Sequence, residues 1–135
     1  MNGANNLFDT NAIIEFFRGE ESLGKIYHET ESVGISIISR IEYMSFSGLT
    51  KEDKDMFQSF SEDCIVFDLS NQNQKLIDLT IKLRIQYSLK LPDALIASQA
   101  ILNGFNLVSS DKGFKKIQEL SLIDFKEASN VPNQT

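Results

Sequence analysis

Apolar and polar residues along this chain follow two spacings, one typical of short buried strands and one typical of amphipathic helices. Compact apolar runs that end abruptly in polar residues predict five strands, at residues 7–8, 33–38, 65–69, 105–109 and 122–125. Apolar residues three and four positions apart predict helices between them, at about 11–18, 20–29, 40–48, 51–60, 71–87, 91–103 and 114–120. Strands that alternate with helices favour an α/β fold with a mainly parallel sheet.

Several helix starts carry capping signals. Thr10 and Asn11 are both good N-cap residues for the first helix. Ser39 and Glu42 match the S-x-x-E capping box and predict that a helix begins there. Residues 50–53 form a similar start for the next helix.

The helix predicted at 91–103 has a distinctive composition. Pro92 suits its first position and Gly104 suits its end. Ala94, Ala97 and Ala100 give it a narrow face. We therefore expect this helix to pack closely against the sheet.

Composition and charge narrow the class of protein. A chain of 135 residues, 41% hydrophobic and 24% charged, is typical of one globular domain. We expect that domain at residues 1–126 and a flexible polar tail at 127–135. The net charge of −6 argues against a general nucleic-acid coat protein, but not against a nuclease whose carboxylates hold a cation. No apolar run approaches the roughly 18 residues that span a bilayer, and the single cysteine, Cys64, fits a cytoplasmic protein.

Four acidic residues at element boundaries are the candidates for chemistry. They are Asp9 after the first strand, Glu42 in the first turn of a helix after the second, Asp93 at the start of the alanine-bearing helix, and Asp111 after the fourth strand. Because residues just after parallel strands share one edge of a sheet, Asp9 and Asp111 are expected to converge there. Helix N-termini that open at the same edge would bring Glu42 and Asp93 to them. Carboxylates without histidine or cysteine partners favour Mg²⁺ or Mn²⁺ over zinc.

Each acid also has a purely structural interpretation. Glu42 could close a capping box with Ser39, and Asp93 could complement the dipole of its helix. Asp111 could form a turn in the stretch SSDKG, and Asp9 could cap the helix that follows it. Residue types alone leave both interpretations open for every one of them.

Three stretches together resemble the PIN-domain family, in particular the toxin ribonucleases of VapBC toxin–antitoxin pairs. They read LFDTNAII, ISRIEYMSF and LKLPDALIASQAILNGFNLVSSDKGF, and the resemblance extends over residues 7–125. It implies a three-layer sandwich around a central, mainly parallel five-stranded sheet. It also implies a divalent-metal-dependent endoribonuclease whose catalytic and metal-binding acids are Asp9, Glu42, Asp93 and Asp111.

The resemblance extends to residues beside the acids. Thr10 and Asn11 match the family's first motif and are expected to order a water or a phosphate. Ser109 replaces a threonine that is often found two residues before the last acid, and it keeps the hydroxyl. Gly113 stands where many relatives have a second acid, so the fourth carboxylate position depends on Asp111 alone.

The implied reaction is hydrolysis of RNA to a 5′-phosphate and a 3′-hydroxyl. Asp9 and Asp93 would be the main ligands of the Mg²⁺ or Mn²⁺ ion, and Glu42 and Asp111 would support them. Arg40, Lys90 and Lys112 lie near the acids in sequence and are candidates to contact the RNA backbone. The resemblance further implies a cognate antitoxin that inserts a segment near the site, and a homodimer.

Two other functions fit parts of the sequence. A phosphatase of the haloacid dehalogenase type also begins with an aspartate after a strand, but it usually needs a second acid where this chain has Asn11. A catalytically silent PIN-like module that binds RNA or protein is the stronger alternative. Gly113 favours that module, whereas the presence of all four acids argues against it.

Overall fold

The computed structural model describes residues 3–130, which form one parallel sheet with helices on both faces. The strands are β1 (Ala4–Phe8), β2 (Thr30–Ser36), β3 (Ile65–Phe67), β4 (Asn106–Val108) and β5 (Leu122–Ile123). The helices are α1 (Thr10–Phe17), α2 (Glu21–Glu29), α3 (Ile37–Met44), α4 (Lys51–Glu62), α5 (Gln74–Tyr87), α6 (Leu91–Asn103) and α7 (Phe125–Asn130). None of these helices is long and apolar enough to cross a membrane.

The sheet has the strand order β3-β2-β1-β4-β5, and all its pairs are parallel. From β1 the chain adds β2 and β3 on one side, whereas β4 and β5 lie on the other. The order therefore reverses between β1 and β4, and such a reversal opens a crevice at the carboxyl ends of the two strands. The predicted five-stranded α/β sandwich is confirmed, and its crevice lies beside Asp9.

Two apolar cores separate the sheet from its helices. Leu7 and Leu107 point to one face, and their neighbours Phe8 and Val108 point to the other. The first face is covered by α5 and α6, including the predicted alanine face, which is fully buried. The second is covered by α1 to α4 and α7 and is rich in aromatic rings. Each fully buried Leu or Phe side chain contributes about 1.5–3 kcal/mol, so these layers hold the crevice in place.

The start of α3 differs from the prediction. The N-cap is Ser36, whose hydroxyl accepts a hydrogen bond from the backbone N–H of Ile38. Because the helix begins three residues earlier than the capping box required, Ser39 lies inside α3 and is fully buried. The capping box predicted for Ser39 and Glu42 is wrong. The similar start at 50–53 does form a capping box.

The C-terminal part also differs from the prediction. In place of a helix at 114–120 there is a 3₁₀ turn, Lys112–Phe114, followed by further tight turns. Phe114 and Ile117 are buried three positions apart, so they imitate helical spacing. Helix α7 begins with the fully buried Phe125, which was predicted to end a strand. The domain division at residue 126 stays a prediction, and residues 131–135 of the predicted tail lie outside the described residues.

Candidate active site

Asp9 lies at the junction of β1 and α1, where the sheet reverses its strand order. Its backbone N–H donates to the carbonyl of Val108 at the end of β4, with an N···O distance of 3.2 Å. Its carboxylate caps α1 by accepting from the N–H of Ala12 at 2.8 Å. Only 6% of Asp9 is exposed. The sequence proposed the N-cap role as one interpretation of Asp9, and the residue has this role while also facing the crevice.

Burial and neighbouring charge make the ionised form of Asp9 unfavourable. The pKa of Asp9 is raised to about 6, mainly by burial and to a smaller extent by the charges of Asp111 and Asp93. A side-chain hydrogen bond with Ser109 and the backbone hydrogen bond of Ala12 act in the opposite direction. The carboxylate therefore lies where a bound cation would relieve a large electrostatic penalty.

Asp93 lies in the first turn of α6, and its side chain is half-buried. Burial is again the main cause that raises its pKa, followed by the charges of Asp111 and Glu42, while the ammonium of Lys90 lowers it. Asp111 and Glu42 come from distant parts of the sequence, yet they lie close enough to Asp93 for their charges to raise its pKa.

Glu42 projects from the last turn of α3, not from the first turn as predicted, because α3 begins at Ile37, and its side chain is exposed. One of its carboxylate oxygens lies 2.5 Å from the hydroxyl oxygen of Thr10, the first residue of α1. The same hydroxyl lies 2.8 Å from that of the buried Ser39. Thr10, which was expected to order a water or a phosphate, is thus engaged by a neighbouring acid.

Asp111 follows β4 and caps the 3₁₀ turn by accepting from the N–H of Gly113 at 2.8 Å. Its own N–H donates to the hydroxyl of Ser109 at 3.0 Å. Because Ser109 also hydrogen-bonds to Asp9, one buried hydroxyl connects two of the four acids. A Cβ atom at Gly113 would lie 3.2 Å from the Asp111 carboxylate, so a second acid there would crowd the first.

All four acids line one cleft of about 330 Å³. Three polar and three apolar residues complete the lining of the cleft: Thr10, Asn11, Ser110, Ile14, Phe46 and Ile96. The amide nitrogen of Asn11 lies 3.5 Å from the Ser110 hydroxyl, at the limit of a hydrogen bond. A larger depression of about 630 Å³ lies between Gly19 and Glu29, and it contains none of the four acids.

The donor set of this cleft suits a hard cation that keeps water ligands. Among residues 3–130, no three acidic, histidine or cysteine side chains approach closely enough to form a closed metal cage. Mg²⁺ typically binds through one or two carboxylates and retains several waters, so an open arrangement of carboxylates fits it. The raised pKa values of Asp9 and Asp93 identify the two carboxylates with most to gain from a cation.

The residues around the cleft differ in part from those that the sequence predicted. Arg40, Lys90 and Lys112 are all exposed and none of them lines the cleft. Ser39 and Phe46 were missed as parts of the site. Ser39 lies three positions before Glu42, and this spacing places the two on one helix face, which was a usable signal.

Comparison with known proteins identifies the class to which this fold and cleft belong. A family model described as PIN domain matches residues 7–120. Because that match covers most of the chain, the chain belongs to the PIN domain family. Comparison with curated proteins gives no match.

Solved structures with the same fold include several toxin–antitoxin complexes. One from Klebsiella pneumoniae is 25% identical, with a TM-score of 0.75 over 89% of this chain and 97% of that chain. VapBC2 from Rickettsia felis, bound to a promoter DNA fragment, is 23% identical, with a TM-score of 0.75 over 88% and 97%. DNA-bound VapBC from Salmonella typhimurium is 20% identical, with a TM-score of 0.74 over 90% and 98%. The family match confirms the predicted PIN-domain resemblance, and these neighbours share the fold of this chain.

Proposed function

We propose that this protein is a metal-dependent endoribonuclease and the toxin of a VapBC-type toxin–antitoxin pair. The observation that carries the proposal is the convergence of Asp9, Glu42, Asp93 and Asp111 on one cleft at the switch point of a parallel sheet. No lysine or arginine of residues 3–130 lines this cleft. A polyanion such as RNA can approach four carboxylates only when a cation compensates their charge.

Asp9 and Asp93 would hold this cation, which we propose to be Mg²⁺ or Mn²⁺. When bound, the metal lowers the pKa of water and neutralises charge on the scissile phosphate. Glu42 and Asp111 would help to orient the metal and its water ligands. The donor types and the raised pKa values of the two central acids support this assignment.

The chain itself contributes to phosphate binding through its helix ends. The N-termini of α1 and α6 both open at the cleft, since Thr10 and Asp93 lie in their first turns. Helix N-termini attract anions through free N–H groups and the helix dipole. The side chains of Asn11 and Phe46 lie at the mouth of the cleft, and Phe46 is 45% exposed. The amide of Asn11 can donate a hydrogen bond to a phosphate, and the ring of Phe46 can contact a base.

A groove lined by both apolar and polar residues adjoins the cleft and is the surface we propose for the antitoxin. It has a volume of about 440 Å³ and shares two residues, Ile14 and Phe46, with the cleft. Phe17, Tyr43 and Leu49 supply further apolar wall. A segment in this groove would reach the mouth of the cleft and block it. Action on cytoplasmic RNA and a homodimeric assembly complete the proposal.

The proposal is tested by RNA cleavage with a matched pair of variants. Total bacterial RNA and a structured synthetic RNA are incubated with the protein in Mn²⁺ or in EDTA. Asp9→Asn removes the central carboxylate but keeps an N-cap residue. Asp68→Asn is the control, because Asp68 is exposed and directly follows β3 yet lies outside the cleft.

We expect cleavage that requires the metal, is lost in Asp9→Asn and is retained in Asp68→Asn. Sequencing of the cut ends should show 5′-phosphates. Cleavage in EDTA, or equal cleavage by the wild type and the Asp9→Asn variant, would contradict the proposed function.

A further inference from the structure

A row of three polar side chains connects the interior of the protein to the rim of the cleft. The hydroxyl oxygen of Thr10 lies 2.8 Å from the Ser39 hydroxyl and 2.5 Å from a carboxylate oxygen of Glu42. Ser39 is fully buried, Thr10 is half-buried and Glu42 is exposed. We call this row the hydroxyl relay.

The donors within the relay follow from chemistry. A hydroxyl carries one hydrogen, and an ionised carboxylate carries none and can only accept. The hydroxyl of Thr10 therefore donates its hydrogen to the carboxylate of Glu42. In the hydrogen bond between Thr10 and Ser39, the hydroxyl of Ser39 is the donor. Hydrogen bonds in series polarise one another, so donation by Ser39 strengthens the bond that Thr10 makes to the acid.

We propose that Ser39 is a positioning residue of the candidate metal site, and that it acts on Glu42 through the Thr10 hydroxyl. An exposed glutamate normally samples several rotamers, and the relay selects one that faces the cleft. Since Thr10 follows Asp9 directly, the relay also ties the acid on α3 to the acid that caps α1. The metal-binding part of this inference rests on the proposed function, whereas the ordering of Glu42 does not.

A second buried serine provides the matched control. Ser98 on α6 is as fully buried as Ser39, but its hydroxyl has no hydrogen-bond partner among the described residues. Ser98→Ala therefore measures the general effect of removing a buried serine hydroxyl. Ser39→Ala removes the same atom where the relay depends on it.

Thr10 provides a second matched pair. Thr10→Val keeps the shape of the side chain and removes the hydroxyl, whereas Thr10→Ser keeps the hydroxyl and removes the methyl group. Thr10 is only half-buried, so this pair decides the question even if Ser39→Ala does not fold. Thermal unfolding checks the fold of every variant.

The first measurement is made without metal, by NMR relaxation of the Glu42 side-chain methylene groups. We expect greater mobility in Ser39→Ala and Thr10→Val, and wild-type mobility in Ser98→Ala and Thr10→Ser. The second measurement is Mn²⁺ affinity by calorimetry. Loss of a group that supports a metal site typically weakens metal binding by about 10-fold to 100-fold, and we expect about 10-fold for Ser39→Ala and Thr10→Val.

Equal Glu42 mobility in Ser39→Ala and Ser98→Ala, with no difference between the two Thr10 variants, would overturn the inference. Equal Mn²⁺ affinities in all four variants would overturn its metal-binding part. Failure of the wild-type protein to bind Mn²⁺ would instead contradict the proposed function, and the metal-free NMR measurement would still decide whether the relay orders Glu42.

Discussion

The inner end of the cleft and its outer rim hold their carboxylates by opposite means. At the inner end, Asp9 is fixed by burial and by the backbone N–H of Ala12, and its ionised form is disfavoured. At the rim, Glu42 is exposed to water, and within residues 3–130 its one side-chain hydrogen bond comes from the Thr10 hydroxyl. The buried acid is therefore rigid but electrostatically strained, whereas the exposed acid is well solvated but needs side chains to orient it.

The largest expected effect of this difference is on activity. Asp9→Asn should lower kcat/KM for RNA cleavage by more than about 100-fold, because it removes a proposed ligand of the cation. Glu42→Gln should lower it by about 10-fold to 100-fold, the range typical of groups that support a metal site. Single-turnover cleavage assays at saturating Mn²⁺ measure both. A larger loss in Glu42→Gln than in Asp9→Asn would reverse the proposed roles.

The next expected effect of Asp9→Asn is on stability, which should increase although activity is lost. Burial raises the pKa of Asp9 to about 6, from an ordinary value of about 3.9. In the metal-free protein at pH 8, the ionised carboxylate therefore lowers the free energy of unfolding, by up to about 3 kcal/mol. Asn keeps the N-cap and removes this charge.

Urea unfolding in EDTA should thus show that Asp9→Asn is more stable than the wild type by about 1–3 kcal/mol. Asp68→Asn, at an exposed acid, serves as the reference. If Asp9→Asn is destabilised at pH 8, the charge of Asp9 is not a burden in the folded protein, and the comparison with Glu42 fails.

The stability of the metal-free protein should also depend on pH through the Asp9 carboxyl. Because the folded state binds the Asp9 proton more tightly than the unfolded state, this group contributes stability that is fully present below about pH 4 and is lost as pH rises through about 6. The raised pKa of Asp93 acts in the same direction. The stability gained by Asp9→Asn should be small at pH 4.5 and grow up to pH 8. A constant difference between the wild type and Asp9→Asn across this window would contradict the assignment.

The smallest effect is expected at the rim. Glu42→Gln should change the free energy of unfolding by less than about 0.5 kcal/mol, as is usual for exposed substitutions. An amide oxygen can still accept from Thr10, so the relay geometry is preserved. Urea unfolding of this variant beside Asp9→Asn completes the comparison, and a change of several kcal/mol would show that Glu42 is a structural residue.

The sequence allowed the sheet and the grouping of the acids to be predicted because both depend on local pattern. Apolar runs that end in polar residues marked the strands, and the carboxyl ends of parallel strands necessarily meet at one edge. The buried face of Ala94, Ala97 and Ala100 followed in the same way. That the four acids act as catalytic and metal-binding residues stays a prediction.

The start of α3, the turns after β4 and the contact between Thr10 and Ser39 could not be predicted. In each case several local structures fit the sequence, and the sequence alone does not show which one forms. Ser36 and Ser39 both precede helical residues, and the backbone used the earlier one, which buried the later one. Phe114 and Ile117 have helical spacing but lie in tight turns, since Asp111 caps a 3₁₀ turn there. The contact between Thr10 and Ser39 required knowledge of which helices pack together.

Helix α6 has a consequence for how this nuclease could acquire new targets. Seven consecutive residues from Ala94 to Ala100 are buried, so the helix has no free side on which to accept larger residues. Mutations that alter RNA preference are therefore expected to accumulate at the exposed mouth, around Asn11 and Phe46, while the wall that carries Asp93 stays unchanged. Selection for altered cleavage from a randomised library would reveal this division as a map of tolerant and intolerant positions.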